Sequence, residues 1–297
     1  MTVGFIGLGR MGKNMAVRLL QNGHDVVGFN RSKDVYREIT KAKGKTADTL
    51  EALVAALPRK KIIWLMLPAG QVTDETIDAL LPLLKKGDII VNGANAFYKN
   101  AQTQSQRCAK YGVHLFDAGV SGGIWGLTRG YALMIGGPKA QFKHIEPFCK
   151  ALAPKKGYGY FGESGAGHFV KSVHNIIEYV YMQGLAEGME LLNGFEQKID
   201  LLKAAKTWQP ASIVSSALLD WMVAGLTRKD FKDISTQIGS VTIAELQDTA
   251  QSINGYAPAF EVAVKTRQDT SKKFALGKRV IAATRREFGG HAVHPVK

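Results

Sequence analysis

Two segments of this chain hold side chains whose types and spacing could do chemistry. In the first, Gly7-Leu8-Gly9-Arg10-Met11-Gly12, glycines stand at the first, third and sixth places. That spacing lets backbone N–H groups approach a phosphate at the start of the following helix. In the second, Lys171, His174, Asn175 and Glu178 recur at i, i+3, i+4 and i+7. On a helix they share one polar stripe, while Val170, Val173, Ile176 and Ile177 take other faces. Amine and carboxyl groups move protons, and a solvated helix face shows the same spacing.

The elements that must position these residues follow from the apolar pattern. Short β-branched runs at 3–7, 25–30, 61–67, 88–92, 113–118 and 132–136 alternate with amphipathic stretches. Alternation of this kind implies a mostly parallel, doubly wound sheet. After about residue 165 the strand pattern stops, and apolar positions recur at three- and four-residue spacing. The expected fold is therefore an α/β Rossmann-type doubly wound domain over 1–164, followed by an all-α domain over 165–297 with a C-terminal tail. No linker composition separates them; the join is the glycine-bearing segment 162–167 leading into a long helix. The basic stretch 285–297 reads as an extension beyond the last helix that needs a surface to lie on.

The glycine loop follows the first strand directly and opens a helix over 13–21, the context a dinucleotide fingerprint requires. Gly7 permits the tight turn, Gly9 lets backbone approach the pyrophosphate, and Gly12 allows close helix packing. Leu8, Arg10 and Met11 complete the loop. At the end of the second strand an NAD enzyme usually carries an acid for the ribose. Here the chain reads Gly28-Phe29-Asn30-Arg31-Ser32. Arg31 offers a fork of donors suited to a 2′-phosphate, with Asn30 and Ser32 as neutral partners, so NADP is expected, with NAD as the alternative.

Composition narrows the class. With 297 residues and 45% hydrophobic side chains the chain can bury a full core. Its formal charge of +14 attracts anions, but the basic residues are spread along the chain, which argues against nucleic-acid binding. Cys108 and Cys149 lie far apart without metal-ligand spacing, so no metal site and a reducing cytoplasm are expected. The longest apolar run, 62–67, is far below the roughly 20 residues of a membrane span, and the amino terminus lacks the pattern of a signal peptide.

The stretch Gly165-Ala166-Gly167-His168-Phe169-Val170-Lys171-Ser172-Val173-His174-Asn175-Ile176-Ile177-Glu178-Tyr179 resembles the signature of the decarboxylating 6-phosphogluconate dehydrogenases, and Gly119-Val120-Ser121-Gly122-Gly123 resembles their substrate loop. The resemblance runs from the glycine loop to Phe288-Gly289-Gly290-His291, at the length of the family's short-chain branch. It implies that Lys171 is the general base at the substrate's C3 hydroxyl and Glu178 the acid that protonates the enediol. Asn175, His174, Ser121, Gly122 and Gly123 would hold the carboxylate and hydroxyls, Asn95 substrate and cofactor, and Leu67 the cofactor. Tyr179, Arg267, Arg285 and His291 resemble the phosphate-binding set, whose last two members reach in from the partner subunit of a homodimer or homotetramer.

Two departures stand out. Asn92-Gly93-Ala94-Asn95 occupies the place of the family's Asp-Gly-Gly-Asn, and Thr236-Gln237-Ile238-Gly239-Ser240-Val241-Thr242 lacks the family's phosphate-contacting Lys or Arg. A β-hydroxyacid or other aldonic-acid dehydrogenase without the phosphate site, and a non-catalytic NADP-binding protein, are the competing readings.

Overall fold

The computed structural model describes residues 1–239 and 243–295. The chain forms two compact units, Met1–Ser172 and Val173–Lys297. The first is built on one eight-stranded sheet: β1 (Thr2–Ile6), β2 (Asp25–Phe29), β3 (Lys45–Thr46), β4 (Ile62–Leu65), β5 (Ile89–Asn92), β6 (His114–Ser121), β7 (Ala132–Gly136) and β8 (Tyr158–Gly162), in the order β3-β2-β1-β4-β5-β6-β7-β8. Every neighbouring pair is parallel except β6 with β7.

Helices on both sides explain why the central strands are apolar throughout. Successive residues go to opposite cores: Ile62 and Trp64 to one, Ile63 and Leu65 to the other. The same alternation sends Ile89 and Val91 one way and Ile90 the other. Two strands escaped the sequence reading. β3 has two residues, and β8 is Tyr-Gly-Tyr-Phe-Gly, with no β-branched run to mark it. β6 also runs to Ser121 instead of stopping at 118, because β7 turns back antiparallel and pairs Ser121 with Ala132. The helix after β1 begins at Arg10, not Lys13.

The 28-residue helix Ala166–Asn193 crosses the division between the units. In the second unit follow helices Leu201–Trp208, Ala217–Thr227, Ile243–Ser252, Pro258–Gln268 and Ala275–Gly289. Side-chain caps start two of them: Asp200 accepts from the Lys203 N–H and Ser216 from the Leu219 N–H. Helices Leu201–Trp208, Ala217–Thr227 and Ala275–Gly289 meet around Met189, Leu219, Met222 and Ile281, and helices Ile243–Ser252 and Pro258–Gln268 pack around Tyr179, Leu246 and Phe260.

The last helix runs to Gly289 and is closed by Gly290 in the left-handed conformation. Arg285 thus lies inside that helix, which corrects the expectation that residues from 285 onward extend beyond it. The real tail starts at Gly290, and it lies on its own unit: the Ser235 N–H donates to the His294 carbonyl at 2.7 Å, and Pro295 bridges Ile234. Val296 and Lys297, like Ser240, Val241 and Thr242 of the family departure, lie outside the described residues. Among the described residues no helix is long and apolar enough to cross a membrane, and no group of His, Cys, Asp or Glu is placed to hold a metal.

Candidate active site

The glycines of the first loop divide by physical role. Gly7 has φ +90, and a Cβ on it would meet the Met66 carbonyl oxygen at 2.3 Å. A Cβ on Gly12 would meet the Gly7 oxygen at 2.0 Å. Both are required by the protein's own packing. Gly9 is different: its φ of −66 suits any residue and no atom lies within 4 Å of where its Cβ would be. The open space sits at the N-terminal end of helix Arg10–Gln21, where an anion is favoured. A dinucleotide pyrophosphate fits that cradle.

Around it, Leu8 is fully buried, so it can offer a ligand only its backbone. Leu67 packs beside Gly7. The Asn30 amide is committed within the protein: its Oδ1 accepts from the Leu8 N–H at 2.9 Å and its Nδ2 donates to the Ser32 carbonyl at 2.8 Å. Ser32 donates to Asp34. Asn30 therefore braces the glycine loop, and the expected trio of phosphate partners reduces to the exposed Arg31.

A second set gathers where β5 and β6 end and helix Ala166–Asn193 begins. Asp117 of β6 is fully buried, and its two oxygens accept from the Gly165 and His168 N–H groups at 2.7 and 2.8 Å. The carboxylate thereby satisfies two of the helix's unpaired donors and the positive end of its dipole. His168 Nε2 lies 3.1 Å from the Asn92 carbonyl oxygen. A carbonyl only accepts, so the ring carries its proton on Nε2. Burial pulls the His168 pKa below the ordinary imidazole value, outweighing the attraction of Asp117. The Asn92 side chain accepts from the Ala94 N–H and donates to Gln104. It closes the turn that an aspartate would close, so the first family departure preserves the turn before the exposed Asn95.

Close approach fixes Lys171. A Cβ on Gly119 would lie 2.4 Å from the Lys171 Cβ, and one on Gly167 would lie 2.5 Å from the Asp117 and Met134 carbonyl oxygens. Only glycine lets the helix pack this near the sheet. Lys171 is left 9% exposed, its stem against Gly119 two residues before Ser121. Gly122 and Gly123, at φ +133 and +55, make the turn after Ser121.

The second unit carries the rest of the stripe. His174 Nδ1 is 3.1 Å from the Asn175 Oδ1 and 3.9 Å from a Glu178 oxygen. Tyr179, buried, lies under Arg267, whose guanidinium carbon is 3.9 Å from the ring centroid. Arg267 Nη1 donates to the Ala263 carbonyl at 2.8 Å, but its buried Nε and Nη2 have no partner. Burial pulls the Arg267 pKa down to about 10; Arg285 adds to this, while Tyr179 and Glu178 oppose it. Arg285 is itself buried, with its pKa lowered by desolvation against the pull of Tyr179 and Glu178. Arg285 is thus a buried residue of the last helix, and its charge is felt at Arg267 of the same chain. His291 packs edge-on to Phe288, 6.1 Å between rings, over Gly289.

A family profile, the NAD binding domain of 6-phosphogluconate dehydrogenase, matches residues 2–162. The chain belongs to the 6-phosphogluconate dehydrogenase family. YqeC of Bacillus subtilis, a provisionally named 6-phosphogluconate dehydrogenase, is 32% identical over 98% of this chain and 99% of its own. The NAD-dependent decarboxylating 6-phosphogluconate dehydrogenase of Haloferax volcanii is 38% identical over 81% of this chain and 78% of its own. The solved 6-phosphogluconate dehydrogenase of Plasmodium falciparum superposes with a TM-score of 0.81 at 27% identity, covering 90% of this chain and 62% of that one. Family membership makes the chain an oxidoreductase with a nicotinamide-dinucleotide-binding domain.

Within this family site, sequence reasoning missed Asp117 and His168 as positioning groups and Gly119 and Gly167 as the close approach that seats Lys171. The buried Asp117 had one signal: a lone acid in an apolar strand needs partners.

Proposed function

We propose that the protein catalyses oxidative decarboxylation of 6-phosphogluconate to ribulose 5-phosphate with NADP as oxidant. The observation that carries this reading is the pair of buried, partnerless donors on Arg267, with Arg285 buried in the last helix of the same unit. Leaving charged donors unpaired inside a protein is costly. A phosphate monoester supplies oxygens in the geometry a guanidinium prefers and relieves that cost.

In this reading the dinucleotide lies along Gly7–Gly12, with Arg31 at its 2′-phosphate and Leu67 and Asn95 beside it. When bound, it supplies the acceptor for the hydride from C3. Neutral Lys171 takes the C3 hydroxyl proton, and its ammonium form then stabilises the developing ketone oxygen. With a carbonyl at C3, the bond from C2 to the carboxylate breaks, CO2 leaves, and the electron pair passes to the C3 oxygen, which takes the proton back from Lys171 to give the enediol. Glu178 protonates C1 of that enediol while Lys171 takes the proton of the neighbouring hydroxyl, which gives the ketose. Ser121, Gly122, Gly123, His174, Asn175 and Asn95 hold the carboxylate and hydroxyls; Tyr179, Arg267, Arg285 and His291 hold the phosphate. Lys171 and Glu178, seven residues apart on one helix, stand about two turns from each other, so separate groups serve proton transfer at the oxygen and at C1.

The same reading takes the working form as a cytoplasmic homodimer or homotetramer, supported by the exposed Ile177, Leu191 and Phe195. A non-phosphorylated aldonic acid is the second reading, favoured by the absence of Lys and Arg from Thr236 to Thr242. One assay separates them: reduced-dinucleotide formation from 6-phosphogluconate and from gluconate, with NADP and NAD side by side and CO2 trapped. Reduction with equal CO2 from the phosphorylated substrate alone supports the first reading, and reduction from gluconate at equal efficiency overturns it.

A further inference from the structure

Two residues outside the proposed substrate set tie together the helices that carry Arg267 and Arg285. Lys278 is 1% exposed in the last helix, and its Nζ donates to Asp269 Oδ2 and to the Ser271 carbonyl, each at 2.7 Å. Asp269 caps the C-terminus of helix Pro258–Gln268, two residues after Arg267. Its oxygens also accept from the Ser271 N–H and hydroxyl at 2.9 and 2.8 Å. The Lys278 ammonium and these donors hold the Asp269 carboxyl down to about 2.

Helical spacing gives the arrangement its meaning. Lys278 and Arg285 are seven residues apart, two turns of the same helix, and therefore share a face. Both are buried. On the other helix, the Asp269 cap follows Arg267 within one turn. One ion pair thereby fixes the end of one arginine-bearing helix against the start of the other. A lysine buried to this degree is rarely kept where an apolar side chain would pack as well.

We propose that the Asp269–Lys278 pair is a positioning device that sets the spacing of Arg267 and Arg285, and so governs affinity for the phosphate end of the substrate without touching it. This rests on the reading of those arginines as the phosphate site. A slack clamp lets the two guanidiniums separate under their mutual repulsion, and small misplacements of binding groups are costly.

The test is steady-state kinetics of Asp269→Asn and Lys278→Met, with circular dichroism and unfolding midpoints beside them. The expected result is a KM for 6-phosphogluconate raised about tenfold, kcat within about twofold, and an unchanged KM for the dinucleotide. The double variant should lose no more than the worse single one, because the pair acts as a unit. A merely structural role would lower kcat and both affinities together. Should Lys278→Met fail to fold, Asp269→Asn carries the test, since that side chain is 41% exposed. Wild-type turnover with unchanged substrate KM in Asp269→Asn overturns the clamp alone. Wild-type protein that neither turns over nor binds 6-phosphogluconate overturns the functional reading, and the clamp with it.

Discussion

The Arg267 guanidinium sits over the Tyr179 ring, its central carbon 3.9 Å from the centroid, with two buried donors, Nε and Nη2, unspent. Stacking on a ring face satisfies charge without using hydrogen bonds. What remains is a buried cation prepared for an anion.

Arg267→Met should therefore raise the KM for 6-phosphogluconate about a hundredfold, since charge-assisted hydrogen bonds contribute roughly 1.5–3 kcal/mol each. The dinucleotide KM should not move. Removing an uncompensated buried charge should leave the unfolding midpoint equal or higher. A lowered midpoint with unchanged KM would show that the arginine serves the fold instead.

Gly9 and Gly12 should respond oppositely to the same methyl group. Gly12→Ala places a Cβ 2.0 Å from the Gly7 oxygen and should destabilise the fold by about 2 kcal/mol or more in urea unfolding. Gly9→Ala meets nothing and should stay within about 1 kcal/mol of the parent. Its dinucleotide affinity, read by calorimetry, should fall at least about tenfold. Intact affinity in Gly9→Ala would remove the pyrophosphate from this loop.

Arg31→Asp exchanges the exposed cation at the end of β2 for the acid that holds a ribose hydroxyl. The ratio of kcat/KM for NADP over NAD should fall by at least about tenfold. An unchanged ratio would mean that other groups read the 2′-phosphate.

Lys171→Ala should lower kcat by roughly 10²–10⁴, the usual contribution of a positioned proton-transfer group. Dinucleotide binding by titration should be nearly unchanged. A matching loss of cofactor affinity would make Lys171 a binding residue and not the base.

His168 sets an acid limit. Its pKa is lowered in the folded protein, so below the ordinary imidazole value of about 6.5 the unfolded chain takes up a proton that the folded one refuses. Stability due to this group is complete above that pH and declines as pH falls beneath it. Urea midpoints should drop from pH 7 to 5, and His168→Gln, which keeps a donor for the Asn92 carbonyl, should flatten the slope. An unaltered slope in the variant would assign the acid sensitivity elsewhere.

Local pattern made much of this legible. The Gly7–Gly12 loop between a strand and a helix, and the spacing of Lys171, His174, Asn175 and Glu178, depend on neighbours a few residues apart, and such periodicities survive in a linear sequence. Six of the eight strands were visible for the same reason. β3 and β8 were not, because a two-residue strand and a glycine-aromatic strand owe their conformation to the edge they pair with.

By itself, then, the sequence determined the doubly wound sheet followed by helices, the dinucleotide loop and the polar stripe, since each is written in short-range spacing. Tertiary structure alone decided which glycines serve packing and which leaves space for a ligand, that Asn30 braces the loop, and that Asp117 caps the long helix across a separation of 48 residues. It also decided that Arg267 and Arg285 are both buried. The reason is physical: desolvation and close contact depend on which distant segments meet, and no local pattern of residue types records that meeting.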